Sequence, residues 1–287
     1  MLFENSSGGN MSNDIQTSDG SPQSKNLENP LIEFDSVTLH YESTAINVTE
    51  KLSFTIESSK KRGRFVVFLG PSGCGKSTLL RAIAGLLMPS NGEVRVLGET
   101  VFAPSGKRGL VFQDYSCFDW LTVLENVLFP LKLKTKGDLT EARELAYKYI
   151  DMVGLCDIAS YYPKQLSGGM RQRVAIARTL INEPDLLLMD EPFGALDAFT
   201  REDMQGHLLS IWAKSNNNIV FVTHDIGEAV LLADEIFVMS AAPMQVFSRH
   251  KVDIDYTART KELKYTMEFT QLVKTIEDEI RAATSKK

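Results

Sequence analysis

The sequence predicts an α/β fold on three observations. Short runs of β-branched or wholly apolar residues alternate with stretches of helical periodicity. The apolar run Arg64 to Leu69 passes directly through Gly70 to Thr78 into a helix. A second apolar run, Asp185 to Asp190, ends in adjacent carboxylates, Asp190 and Glu191. In open α/β sheets ligands gather outside the carboxyl ends of the strands, where both of those features fall.

Strand-like segments open the ordered part at Ile32 to Tyr41 and Leu52 to Ile56, broken by polar turns. The helix after the glycine loop is expected to reach about Leu87, and Glu93 to Leu97 and Gly109 to Gln113 read as further strands, with Gln113 closing the second. From about Asp114 helical periodicity takes over, with helices expected over Leu121 to Leu131, Thr140 to Val153 and Ser167 to about Ile181. Alternation then resumes: strand Asp185 to Asp190, helix Asp197 to Lys214, strand Asn218 to Thr223, helix Ile226 to Ala233, strand Glu235 to Ser240. Near the end Tyr265, Phe269, Leu272, Val273, Ile276 and Ile280 recur at helical spacing, as in an amphipathic helix laid on a core. The organisation read from this is a disordered tail over 1–29, rich in Ser, Asn and Gly, a domain over 30–245 whose helical subdomain spans about 114–168, and a C-terminal extension over 246–287.

Composition sets the class. At 287 residues, 43% hydrophobic and 24% charged, the chain is of globular type. No run approaches the roughly 20 apolar residues needed to span a bilayer, so any membrane role must come from partners. A formal net charge of −6 gives no long-range attraction to a phosphate backbone and argues against nucleic acid as a partner. Cys74, Cys117 and Cys156 lie far apart without metal-ligand spacing, as expected in a reducing, cytoplasmic compartment.

The loop Gly70-Pro71-Ser72-Gly73-Cys74-Gly75-Lys76-Ser77, followed by Thr78, has the phosphate-loop pattern. Its glycines let successive N–H groups turn inward around the phosphates of a nucleoside triphosphate. Lys76 brings a positive charge, Ser77 an oxygen for Mg²⁺, and the helix that follows brings the positive end of its dipole. The four fixed positions arise by accident in about one chain in a hundred, and a strand before the loop with a helix after it makes accident rarer still. Cys74 reads as a small residue tolerated in the loop.

Asp190, at the end of Leu186 to Met189, is placed to hold Mg²⁺, directly or through water. Glu191 is the candidate general base for the attacking water.

Leu166-Ser167-Gly168-Gly169-Met170-Arg171-Gln172-Arg173 narrows the reading. A serine before a helix is also an ordinary N-cap. Lying between the phosphate loop and the acidic strand, however, this segment resembles the signature motif of ATP-binding-cassette ATPases, and the chain is identified by it as similar to that family. The resemblance covers about Leu31 to Ser240 and implies a RecA-like core, an antiparallel β subdomain and an inserted helical subdomain. It implies ATP and Mg²⁺ as ligands, with Ser167, Gly168 and Gly169 offered to a γ-phosphate. Gln113 matches the Q-loop glutamine that senses Mg²⁺ and the membrane subunit, and Ala195-Leu196-Asp197 matches the D-loop. His224 matches the switch histidine at the γ-phosphate, and Tyr41 lies where the family stacks an aromatic on adenine; a buried strand tyrosine is the competing reading.

Within the family, Trp120-Leu121-Thr122-Val123-Leu124-Glu125-Asn126-Val127 is most like importers of nitrate, sulfonate or taurine, although Asp119 stands where these usually carry proline. The resemblance implies two chains head to tail around two ATP molecules, permease subunits in the membrane, an indirect extracytoplasmic solute-binding protein, and a peripheral place on the cytoplasmic face of the inner membrane. The alternative is a soluble cassette ATPase acting on ribosomes or nucleic acid.

Overall fold

The computed structural model describes residues 29–40, 47–59, 62–113, 117–134 and 137–285. The tail expected over 1–29 lies outside these residues save for Asn29, and Tyr41 lies outside them altogether.

Two sheets share one helix between them. A four-stranded antiparallel sheet has the order β2-β1-β4-β5, from β1 (Ile32–His40), β2 (Asn47–Ile56), β4 (Asn91–Val96) and β5 (Glu99–Thr100). A six-stranded sheet runs β10-β9-β3-β8-β7-β6, from β3 (Phe65–Leu69), β6 (Arg108–Val111), β7 (Leu186–Asp190), β8 (Asn218–Thr223), β9 (Glu235–Met239) and β10 (Val246–Lys251). Strands β6, β7, β8, β3 and β9 are parallel, and β10 pairs antiparallel at the edge.

β3, β7 and β9 are buried at every position because both faces of the larger sheet are covered. Their side chains still alternate. Val66, Phe68, Leu186, Leu188, Val220 and Val222 join the core shared with the antiparallel sheet and α1 (Lys76–Ala84). Phe65, Val67, Leu69, Leu187, Met189 and Phe221 join the core made with the remaining helices.

The helical region consists of α2 (Val123–Lys134), α3 (Thr140–Met152) and α4 (Gly168–Leu180), which pack on one another. α2 starts two residues later than expected because Thr122 and Glu125 form a reciprocal cap: Glu125 N–H donates to Thr122 Oγ1 (3.2 Å) and Thr122 N–H to Glu125 Oε2 (2.9 Å). Asn126, fully buried, donates to the carbonyls of Phe118, Leu121 and Thr122 and accepts from Phe118 N–H, fixing the turn that carries Trp120.

Four expectations are corrected. α1 stops at Ala84, short of Leu87, because Gly85 is left-handed (φ 80) and a Cβ there would meet Ala103 O at 2.3 Å. The sixth strand ends at Val111, so Gln113 sits in a bend two residues beyond it. Tyr265 does not belong to the C-terminal apolar stripe: it lies in a 3₁₀ turn before α7 (Met267–Ser285) and is 89% exposed, whereas Phe269 and Ile276 are buried against α6 (Ile226–Leu232) and β9. Finally, residues 246–251, expected in an extension, form the edge strand β10 of the larger sheet.

Candidate active site

Parallel strands β7, β8 and β3 are neighbours, so their carboxyl ends bring three chain segments to one sheet edge. β3 delivers the phosphate loop, β7 delivers Asp190 and Glu191, and β8 delivers His224.

The loop's conformation depends on glycine at specific points. Gly73 and Gly75 are left-handed, with φ of 77° and 111°. A Cβ on Gly75 would meet Val48 Cγ1 at 2.2 Å, and one on Gly70 would meet Met239 O at 2.8 Å, so β2 and β9 press on the loop from outside. Pro71 is partly buried, and Ser72 and Gly73 are exposed at the loop's crest. The Cys74 side chain turns inward, where burial pushes its thiol above the ordinary value despite the nearby Lys76 charge. It is therefore a packing group at neutral pH.

Lys76 is buried, and its ammonium donates to the carbonyls of Gly70 and Pro71, both at 2.9 Å. α1 begins at Lys76 with no acidic residue in its own first turn. Thr78 is buried in the same turn.

Ser77 Oγ donates to Asp190 Oδ1 at 2.8 Å. Burial raises the Asp190 carboxyl above the ordinary carboxylate range, and Glu191 adds to the effect. Two adjacent hard oxygen donors, one of them a carboxylate short of compensating charge, fit Mg²⁺.

Glu191 is left-handed, with φ 42°, a conformation costly for a residue with a Cβ. It is held there because its N–H donates to Val222 O (3.0 Å) and its carbonyl accepts from Gly194 N–H (3.1 Å). The carboxylate lies 2.9 Å from His224 Nδ1 through Oε2 and 4.0 Å from Lys76 Nζ through Oε1. A Cβ on Gly194 would sit 3.6 Å from Gln113 Nε2 and 3.8 Å from Glu191 Oε2, which places the Gln113 amide on the same side.

Ser167, Gly168 and Gly169 are not part of this cluster. Ser167 is the N-cap of α4, its Oγ accepting from Met170 N–H at 3.3 Å, and it is exposed. A Cβ on Gly169 would meet Thr200 Cγ2 at 2.8 Å, so this glycine lets α4 approach α5 (Ala198–Ser215). Asp197 caps α5 by accepting from Thr200 N–H at 3.1 Å.

Sequence reasoning missed Glu228, Arg201 and Val48. Glu228 follows Asp225 by three residues, the spacing of an ordinary capping box, and Asp225 does accept from Glu228 N–H at 2.9 Å. The Glu228 carboxylate, however, does not reach back to the cap; it accepts from Thr223 Oγ1.

A glycine cradle with a buried lysine, a serine–aspartate pair and a histidine-paired glutamate at the ends of three adjacent strands are the parts of a nucleoside-triphosphate hydrolase. The family model described as ABC transporter matches residues 50–194. The chain is 43% identical over 243 residues to a putative ATP-binding protein of Brucella abortus (strain 2308), covering 85% of this chain and 90% of that one. It is 45% identical over 223 residues to the aliphatic sulfonates import ATP-binding protein SsuB of Bacillus cereus (strain ATCC 10987 / NRS 248), covering 77% and 84%. Among solved structures, the dimeric post-hydrolysis state of the ATP-binding cassette MJ0796 bound to ADP and Pi matches with a TM-score of 0.65 and 33% identity, over 78% of this chain and 99% of that one. The chain belongs to the ABC transporter family, as its ATP-binding and ATP-hydrolysing cassette. Among the described residues no helix is long and apolar enough to cross a membrane.

Proposed function

We propose that this ATPase energises the import of a small anion, such as nitrate, a sulfonate or taurine, through separate membrane subunits. The observation that carries the reading is its 45% identity to an aliphatic-sulfonate import ATP-binding protein, 84% of whose length it covers. In this reading the chain sits on the cytoplasmic face of the inner membrane and works as a dimer, with permease subunits beside it and a solute-binding protein on the far side.

The geometry around the phosphate loop supports the following roles. The N–H groups of Gly70 to Thr78 and the Lys76 ammonium bind the phosphates. Ser77 and Asp190, with Gln113 nearby, would hold Mg²⁺, which supplies charge neutralisation on the phosphate oxygens. Glu191 accepts the proton of the attacking water, and His224 holds its carboxylate in line. Exposed Ser167, on a helix whose first turn bears no acid, serves the triphosphate of the partner chain together with Gly168 and Gly169. Tyr41 is assigned to the adenine from its place in the sequence alone.

The test is to purify the tagged chain from solubilised membranes and identify its companions by mass spectrometry. ATP-driven uptake of nitrate, taurine and an alkanesulfonate is then measured in vesicles containing the complex. Copurification with a permease and uptake of one of these anions is the expected result. Recovery with ribosomes, or a complex that exports, overturns the reading.

A further inference from the structure

Behind Glu191 and His224 lies a small cleft lined also by Gly194, Arg201, Thr223, Asp225 and Glu228. Glu228 is almost wholly buried there, and its two oxygens serve different parts of the chain. Oε2 accepts from Thr223 Oγ1 at 2.7 Å, and that same hydroxyl accepts from Asp225 N–H at 3.0 Å, so the bond fixes the residues on either side of His224. Oε1 accepts from Gln205 Nε2 at 3.3 Å and lies 3.9 Å from Arg201 Nε. Arg201 in turn donates to the Leu196 carbonyl at 3.0 Å, in the loop that leads away from Glu191.

A third element reaches this network. Lys264, in the C-terminal segment, donates to Gln205 Oε1 at 3.3 Å and pairs with Glu202 at 2.9 Å. An ammonium can only donate, so the Gln205 oxygen must face Lys264 and its NH₂ must face Glu228. The carboxylate therefore accepts from Thr223 Oγ1 on one side and from Gln205 Nε2 on the other.

We propose that Glu228 is a positioning residue for hydrolysis: it staples the strand end carrying His224 to the loop following Glu191, with Lys264 setting the orientation of Gln205 from the C-terminal segment. The inference rests on the assignment of Glu191 and His224 to the hydrolytic step. Through Thr223 the carboxylate reaches the residue before His224, and it faces Arg201, which also lies 3.7 Å from Asp225 Oδ2 and holds the Leu196 carbonyl in the loop after Glu191. Misplacement by about 1 Å costs up to roughly a hundredfold in rate, so the staple acts on turnover and leaves binding to the phosphate loop.

The test uses the full chain with Glu228→Gln, which keeps the shape of the side chain but turns one acceptor into a donor. Phosphate release is followed against ATP concentration, nucleotide affinity by displacement of a fluorescent ATP analogue, and folding by thermal melting. The expected result is a kcat lowered about tenfold or more, with KM and nucleotide affinity within about twofold of the parent. Thr223→Val, which removes the same bond from the other side, is expected to show the same split.

Rescue separates positioning from simple structural support. In Glu228→Gln, with the amide oxygen kept as the acceptor for Thr223 Oγ1, the new NH₂ faces the NH₂ of Gln205, which Lys264 locks in place. Adding Lys264→Met lets Gln205 turn over and should restore several-fold of the turnover lost in Glu228→Gln. Unchanged kcat in Glu228→Gln, or a fall in kcat, affinity and melting together without rescue, overturns the inference while Glu191→Gln still abolishes hydrolysis. If Glu191→Gln itself keeps turnover, the underlying assignment fails and the inference falls with it.

Discussion

His224 Nδ1 lies 2.9 Å from Glu191 Oε2, and Glu191 keeps a left-handed backbone to make that contact. A strained glutamate held by a neighbouring strand and aimed at a histidine fits the proposed role of general base, since strain of this kind costs about 1–3 kcal/mol and persists only where the surroundings enforce it. Glu191→Gln keeps the shape and removes the base. Phosphate release should fall by about 10² to 10⁴-fold, with ATP affinity close to the parent's. In size-exclusion chromatography with ATP the variant should accumulate as a dimer; near-normal turnover would remove Glu191 from the reaction.

Lys76 satisfies two loop carbonyls at 2.9 Å and is almost fully buried. Lys76→Ala loses both those bonds and the charge offered to the phosphates. A charge-assisted bond contributes about 1.5–3 kcal/mol, so nucleotide affinity should weaken by at least about tenfold, measured by titration with a fluorescent ATP analogue.

Gly75 combines φ 111° with a Cβ position 2.2 Å from Val48 Cγ1. Gly75→Ala therefore meets both backbone strain and a clash with β2. It should lose nucleotide binding while the far-ultraviolet circular dichroism stays close to the parent's. Gly75→Ala/Val48→Ala relieves the clash but not the strain, and should recover only part of the affinity.

Ser167 is exposed and caps α4 without touching the phosphate loop of its own chain. Ser167→Ala loses the cap, at a cost of about 1 kcal/mol seen as a lower melting temperature. Ser167→Arg should leave nucleotide affinity of the isolated chain unchanged but abolish turnover, because in the proposed dimer the arginine would stand between this helix and the partner's triphosphate. Full turnover in Ser167→Arg is incompatible with a site shared between two chains.

Burial raises the Glu228 carboxyl above its ordinary value of 4.5. The folded chain therefore binds this proton more tightly than the unfolded chain does. The resulting stabilisation is fully present below pH 4.5 and is lost as pH rises through the higher folded value. The difference in melting temperature between the parent and Glu228→Gln should favour the parent most at the acid end and shrink as pH rises. A difference that grows with pH contradicts the sign.

The proposed site residues were legible because the chemistry assigned to them demands residue types at fixed short spacing: glycines around a polyanion, lysine and serine at a helix start, two carboxylates at a strand end. Alternation of apolar runs and helical stretches likewise sufficed for the α/β class. Elements defined by long-range pairing were less visible. β10 has a half-exposed, mixed sequence that gains its identity only from pairing with β9, and Tyr265 fits a helical stripe by spacing yet falls in the turn before it.

By itself the sequence determined which groups could bind and hydrolyse a triphosphate, since each motif carries its own local geometry. Only the tertiary structure decided that β3, β7 and β8 lie side by side, bringing Lys76, Glu191 and His224 together from distant points in the chain. It also decided that the Glu228 carboxylate, spaced for a capping box, accepts from Thr223 instead and faces Arg201, which holds the Leu196 carbonyl. Strand order and side-chain burial arise from packing among residues far apart in sequence, and no local spacing encodes them.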